Sequence, residues 1–172
     1  MAQLYILQKI PALRGKVHPV ELIHEATPLY DLRHFGRAYK HSGLLIKRED
    51  QTDSIYGGNK VRNLEYVLGE AIHRRYKQVS TLIPYGSNFS GALAAQAKKL
   101  NLGAELSQFV LQRNPQIEAH VDFGRRHGAR MTTFTSPFGF AGASAHAVYQ
   151  RCINRTYFIS PGASNILGAL GH

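Results

Sequence analysis

The sequence predicts an α/β fold, a parallel sheet with helices on both faces. Three observations carry this. From residue 79 onward, short apolar segments alternate with amphipathic helical ones. The connections between them are short and hold caps and breakers, such as Asn114-Pro115 at a helix start and Gly128 at its end. Before them, a polar turn through Gly57-Gly58 runs into a helix at Lys60, where Val61, Leu64, Leu68, Ala71 and Ile72 form one apolar stripe.

The 172 residues suit one domain or slightly more, and a hydrophobic fraction of 44% suffices for a core. Residues 1–28 are broken by Pro11, Gly15, Pro19 and Pro28 and read as extended arm and loop. Thr27 can cap a helix with Pro28 at its first position; Leu29, Leu32, Phe35 and Tyr39 would be its apolar face and Gly43 its end. Residues 44–46 read as a short buried strand, and 47–50 as a charged exit. Asn59 is the expected N-cap of the Lys60 helix. Strands are predicted at 79–84, 105–111, 129–134 and 156–159, all parallel. Helices are predicted at 87–100, 115–127 and 139–152. In the last helix, Ala141, Ala145, Val148, Tyr149 and Cys152 make the expected buried stripe, so Cys152 reads as a buried structural thiol.

Lys60 is the first candidate for chemistry. It falls in the first helical turn, where the partial positive charge of the helix start disfavours a second cation. That placement favours the neutral amine, which can condense with an aldehyde. The paired glycines would let a planar ligand approach the backbone. The same stretch also fits an ordinary turn with an exposed lysine. Tyr85-Gly86-Ser87-Asn88-Phe89 follows a strand and opens a helix. Ligands of parallel sheets bind at such carboxyl ends, and the N–H groups of a helix start can hold a carboxylate. Ser87 or Asn88 would alternatively serve only as a cap. A second polar turn, Pro161-Gly162-Ala163-Ser164-Asn165, follows the last strand.

Lys and Arg number 21 against 11 Asp and Glu, a formal charge of +10. Such a balance suits an anionic partner. The densest basic groups, at 73–77, 98–99 and 125–127, lie near predicted helix C-termini, where cations complement the helix dipole, and this favours solvated helix ends over a nucleic-acid surface. A single cysteine excludes an internal disulfide, and the nine histidines show no metal-ligand spacing. No apolar run is long enough to span a bilayer and no signal-peptide pattern opens the chain, so a cytoplasmic protein is expected.

Leu45-Ile46-Lys47-Arg48-Glu49-Asp50 together with Tyr56-Gly57-Gly58-Asn59-Lys60-Val61-Arg62-Asn63-Leu64-Glu65 resembles the lysine motif of the 1-aminocyclopropane-1-carboxylate (ACC) deaminase and D-cysteine desulfhydrase family. Gly86-Ser87-Asn88 resembles its substrate-carboxylate loop, and residues 161–165 and 167–171 resemble its re-entry into the larger domain. The similarity runs from about Pro28 to His172. It implies the tryptophan synthase β-like fold and the cofactor pyridoxal 5'-phosphate. Lys60 would hold the cofactor and move protons. Asn88 would hydrogen-bond its ring oxygen. Ser87, with adjoining N–H groups, would hold the substrate carboxylate and take part in catalysis. Phe89 stands among these substrate contacts where relatives carry His or Gln.

Members of this family are roughly twice as long, and their phosphate cup lies beyond the position of His172. The resemblance therefore implies a truncated chain. Residues 1–60 would be a strip of the large cofactor domain, 61–158 the small domain, and 159–172 the start of re-entry. A small α-amino acid is the expected substrate, with weak or no activity for these residues alone. A homo-oligomer or a missing C-terminal half is the expected partner. The competing readings are a non-catalytic remnant that binds a partner and a basic nucleic-acid-binding domain.

Overall fold

The computed structural model describes residues 4–135 and 138–171. The first three residues of the expected N-terminal arm, and His172, lie outside the described residues. A short helix α1 (Leu4–Lys9) and a 3-10 turn (Pro11–Leu13) open the chain. Strands β1 (Leu29–Asp31) and β2 (Leu45–Lys47) form an antiparallel pair around helix α2 (Arg33–Ala38). Helix α3 (Lys60–His73) leads into β3 (Gln78–Pro84), α4 (Asn88–Lys99), β4 (Gly103–Phe109), α5 (Pro115–Arg126), β5 (Arg130–Phe134), α6 (Gly139–Cys152) and β6 (Tyr157–Phe158). A 3-10 turn at Pro161–Ala163 and helix α7 (Ile166–Ala169) close it.

The four later strands form one parallel sheet in the order β5-β4-β3-β6, as the alternation predicts. The chain steps outward from β3 to β5, then crosses back past two strands to β6. Right-handed crossovers put helices of opposite stepping direction on opposite faces. Accordingly α4 packs with α3 and α5, while α6 packs on β3, β4 and β5. The buried Val61, Leu64 and Leu68 of α3, Leu93 of α4, Leu106 of β4 and Ile159 share one core. The connections step away from β3 on one side and return to β6 on the other, so the carboxyl ends of these two parallel strands border the crevice of the sheet.

Four local expectations are corrected. Residues after Thr27-Pro28 form β1, not a helix. The Thr27 hydroxyl bonds Lys47, Glu49 and Arg62, and the Pro28 carbonyl accepts the Arg48 N–H at 2.9 Å. Ladder and side-chain network thus outcompete the cap. Strand β2 is exposed rather than buried, as are Leu29, Phe35 and Tyr39. On α6, the expected stripe of Ala141, Ala145, Val148, Tyr149 and Cys152 faces solvent, and the buried face is Gly139, Ala143, Ala147 and Gln150. Close approach decides this: a Cβ added at Gly142 would come within 2.7 Å of the Phe134 ring, and one at Gly139 within 2.9 Å of the Phe134 carbonyl. Only the small-residue face fits against β5. Ile72 is exposed at the end of its stripe.

Candidate active site

The turn before Lys60 is built by backbone constraint. Asp53 accepts the N–H groups of Ile55 at 2.8 Å and Tyr56 at 2.9 Å, and Lys99 pairs with its other oxygen. A Cβ at Gly57 would overlap the Asp50 carbonyl, so this glycine is required for chain packing. Gly58 has φ +128, a conformation closed to L side chains, and faces open space. Its N–H is taken by the Glu49 carbonyl and the Thr52 hydroxyl, both at 2.9 Å. The turn therefore fixes the lysine and spends that N–H internally.

Lys60 opens α3 as expected, but Asn59 is not a side-chain cap. Its backbone is helical, and Val61 and Arg62 donate instead to the carbonyls of Gly58 and Asn59 at 3.1 and 3.2 Å. A tight first turn satisfies the donors that a cap would have taken. Below it, Arg62 grips Glu49 with two bonds, Nε to Oε2 at 2.6 Å and Nη2 to Oε1 at 3.1 Å, and Lys47 adds a third at 2.7 Å. Burial would raise the Glu49 carboxyl; the bonds from Arg62 and Lys47 outweigh it and hold it at about 2. One turn further, the buried Glu65 accepts the N–H groups of Leu22 and Ile23 at 3.1 and 3.0 Å. These ties lash the N-terminal strip to α3.

Lys60 and Asn88 line one cavity of about 310 Å³, with Tyr56, Gly57, Gly58 and Ala92. Tyr56 lies against α4 where Gly91 leaves room: a Cβ there would stand 2.5 Å from the ring. Its hydroxyl donates to Asn88 Oδ1 at 3.4 Å, and burial pushes its pKa up, keeping it a donor. The turn after β6 closes on the lysine. A Cβ at Gly162, which has φ +66, would sit 3.6 Å from Lys60 Cε and 3.8 Å from Nζ. The amine thus meets an uncluttered glycine surface where the stepping order of the strands reverses.

Ser87 occupies the adjoining cavity of about 240 Å³, which shares Asn88 and is also lined by Tyr85, Gly86, Ile117 and His120. Ser87 is the N-cap of α4, its oxygen accepting the Phe89 N–H at 3.3 Å. Phe89 is buried in the hydrophobic core and supports this turn from beneath. The structure therefore gathers Lys60 and Asn88, sets Ser87 beside them and places Phe89 in the core. Tyr56 and Gly162 were missed as site residues by sequence reasoning. Tyr56 stands inside the quoted motif; Gly162 carried only its place in a turn after a strand.

No family model matches the chain. It is 31% identical over 168 residues to the putative ACC deaminase of Pyrococcus horikoshii, covering 95% of this chain and 50% of that protein. The crystal structure of an ACC deaminase homologue superposes with a TM-score of 0.77 at 31% identity, over 95% of this chain and 50% of that one. A pyridoxal 5'-phosphate-dependent aspartate racemase shares the fold at 16% identity and TM-score 0.61, over 96% and 46% of the two chains. The chain spans about half the length of the curated relatives it matches, which bear the names ACC deaminase and D-cysteine desulfhydrase. With the lysine turn, the helix start at Ser87 and the parallel sheet all in the expected places, the chain is related to the ACC deaminase and D-cysteine desulfhydrase family and has its tryptophan synthase β-like fold.

Proposed function

We infer that the chain carries the lysine half of a pyridoxal-phosphate site that acts on a small α-amino acid, as a deaminase or desulfhydrase. The observation that carries this is the cavity shared by Lys60 and Asn88, with the Cβ-free surface of Gly162 against the amine. A lysine, an amide and glycine surface fit the aldehyde and ring oxygen of that cofactor. When bound, the cofactor supplies an electron sink for carbanion chemistry. Lys60 Nζ holds it covalently and afterwards carries protons. The Asn88 amide holds the ring oxygen and is itself positioned by the Tyr56 hydroxyl. Ser87 and the N–H groups at the start of α4 receive the substrate carboxylate. Phe89 keeps that helix start in place from the core.

In this reading residues 1–60 belong to the cofactor domain, 61–158 form the small domain, and 159–172 lead back. The exposed Leu29, Tyr30, Phe35, Leu45 and Ile46 then form the surface that a complementary half or a second copy covers. The single cysteine suits a reducing, cytoplasmic setting. The described residues contain no helix long and apolar enough to cross a membrane. Binding by these residues alone is expected to be weak. Lacking even two charge-assisted bonds to phosphate, at about 1.5–3 kcal/mol each, costs about two to four powers of ten in affinity. Titration with pyridoxal phosphate, borohydride reduction and peptide mapping test the assignment. Label concentrated on Lys60 is expected; label spread evenly over the lysines would overturn it.

A further inference from the structure

At the opposite end of the sheet lies a cavity of about 710 Å³. It sits at the start of β3, roughly 20 Å along that strand from the Ser87 turn. Arg74, Arg75, Lys77, Arg151 and Arg155 line it, with Cys152 in the wall. Arg74 is paired with Glu70 at 2.5 Å. Among the described residues, the other four cations enter no ion pair, and all are exposed.

Cations beside the ends of α3 and α6 would be expected merely to offset the helix dipoles. The magnitudes exclude that as a full account. Two helix C-termini contribute about half a negative charge each, against four unpaired cations. The backbone points the same way. Arg75 and Arg155 have φ +60 and +52, the left-handed region that glycine and asparagine enter most readily. The other two long helices, α4 and α5, leave through Asn101 and Gly128 in that conformation. Both exits that border the cavity carry arginine instead. The cations converge on one concavity and do not track along a face: Lys98-Lys99 and Arg125-Arg126 lie on other elements, and Lys99 is paired with Asp53. That arrangement suits a compact anion better than an extended nucleic acid.

We propose that this cavity binds a small oligophosphate, a ligand with three or more negative charges, through Arg75, Lys77, Arg151 and Arg155. Guanidinium groups match phosphate oxygens in paired bonds, and Lys77 adds a mobile point charge. The site is independent of the Lys60 assignment.

Inorganic tripolyphosphate is the probe, titrated calorimetrically into the 172-residue chain at about 0.15 M salt, where the Debye length is about 8 Å. One-to-one saturable binding is expected, together with slower reaction of Cys152 with a thiol reagent. The double variant Arg75→Gly/Arg155→Gly removes two cations while relieving the left-handed backbone, and Lys77→Gln/Arg151→Gln removes the other two. Each pair should weaken binding roughly tenfold or more, as expected for loss of charge-assisted bonds, with circular dichroism unchanged. The control Arg125→Gln/Arg126→Gln removes the same charge elsewhere and should leave affinity within about twofold, since exposed charges beyond a Debye length are screened. Equal loss in the control, or binding of many anions per chain, would overturn the site in favour of diffuse charge. Single-stranded oligonucleotides that bind more tightly with length, and that tripolyphosphate does not displace, would overturn it in favour of a nucleic-acid surface.

Discussion

Replacing Glu49 by glutamine removes one charge from the network beneath the Lys60 turn while keeping its shape. Glu49 receives two bonds from Arg62, one from Lys47 and one from the Thr27 hydroxyl. Its side chain is 26% exposed and that of Arg62 16%, so the pair is only partly screened. The carboxyl is held down from an ordinary 4.5 to about 2. At about 1.4 kcal/mol per pH unit, that drop amounts to about 3 kcal/mol at most, and to about 2 kcal/mol after allowance for solvent screening. Because the folded value is the lower one, this stability is complete above about pH 4.5 and is lost as the pH falls through about 2. Urea unfolding followed by far-ultraviolet circular dichroism, at pH 7 and pH 3, measures it. Glu49→Gln should be less stable than the parent by about 2 kcal/mol at pH 7, and the gap should shrink by more than half at pH 3. Asp53 and Glu70, whose carboxyls are also held low despite burial, titrate in both proteins and cancel in the difference. A gap below about 0.5 kcal/mol at pH 7, or one of equal size at both pH values, would refute the reasoning.

Three further outcomes are expected. Gly86→Ala should destabilise by about 2–4 kcal/mol in the same urea assay, because Gly86 has φ +69 and an added Cβ would lie 2.9 Å from the Ile117 carbonyl; an unchanged midpoint would show that the turn is soft. Ser87→Ala should cost about 1 kcal/mol as a lost N-cap, and Ser87→Asp should recover most of it, whereas equal loss in both would assign the cost to something other than capping. The exposed Leu29, Phe35, Leu45 and Ile46 should drive self-association that Phe35→Ser/Ile46→Ser reduces, and light scattering that shows a monomer at high concentration before any substitution would count against that surface.

The sheet was legible in the sequence because its signals are local. Strand–helix alternation, Asn114-Pro115 at the start of α5 and Gly128 after it act within a few residues, and the four strands appear parallel within a residue or two of their expected limits. The lysine at a helix start and the polar turn after β3 could be read for the same reason. What the sequence could not decide was anything set by partners distant in the chain. Thr27 looked like a cap until Lys47, Glu49 and Arg62 were brought to its hydroxyl. Helix α6 offered an apolar stripe of ordinary spacing, yet the nearness of Phe134 selected the smaller residues and turned Cys152 and Val148 to solvent. The meeting of Gly162 with Lys60 depends on β6 returning beside β3, a crossover over two strands that no local pattern encodes. The sequence determined the elements and the chemistry they carry; tertiary packing chose which face of each element is buried and which distant residues share a cavity.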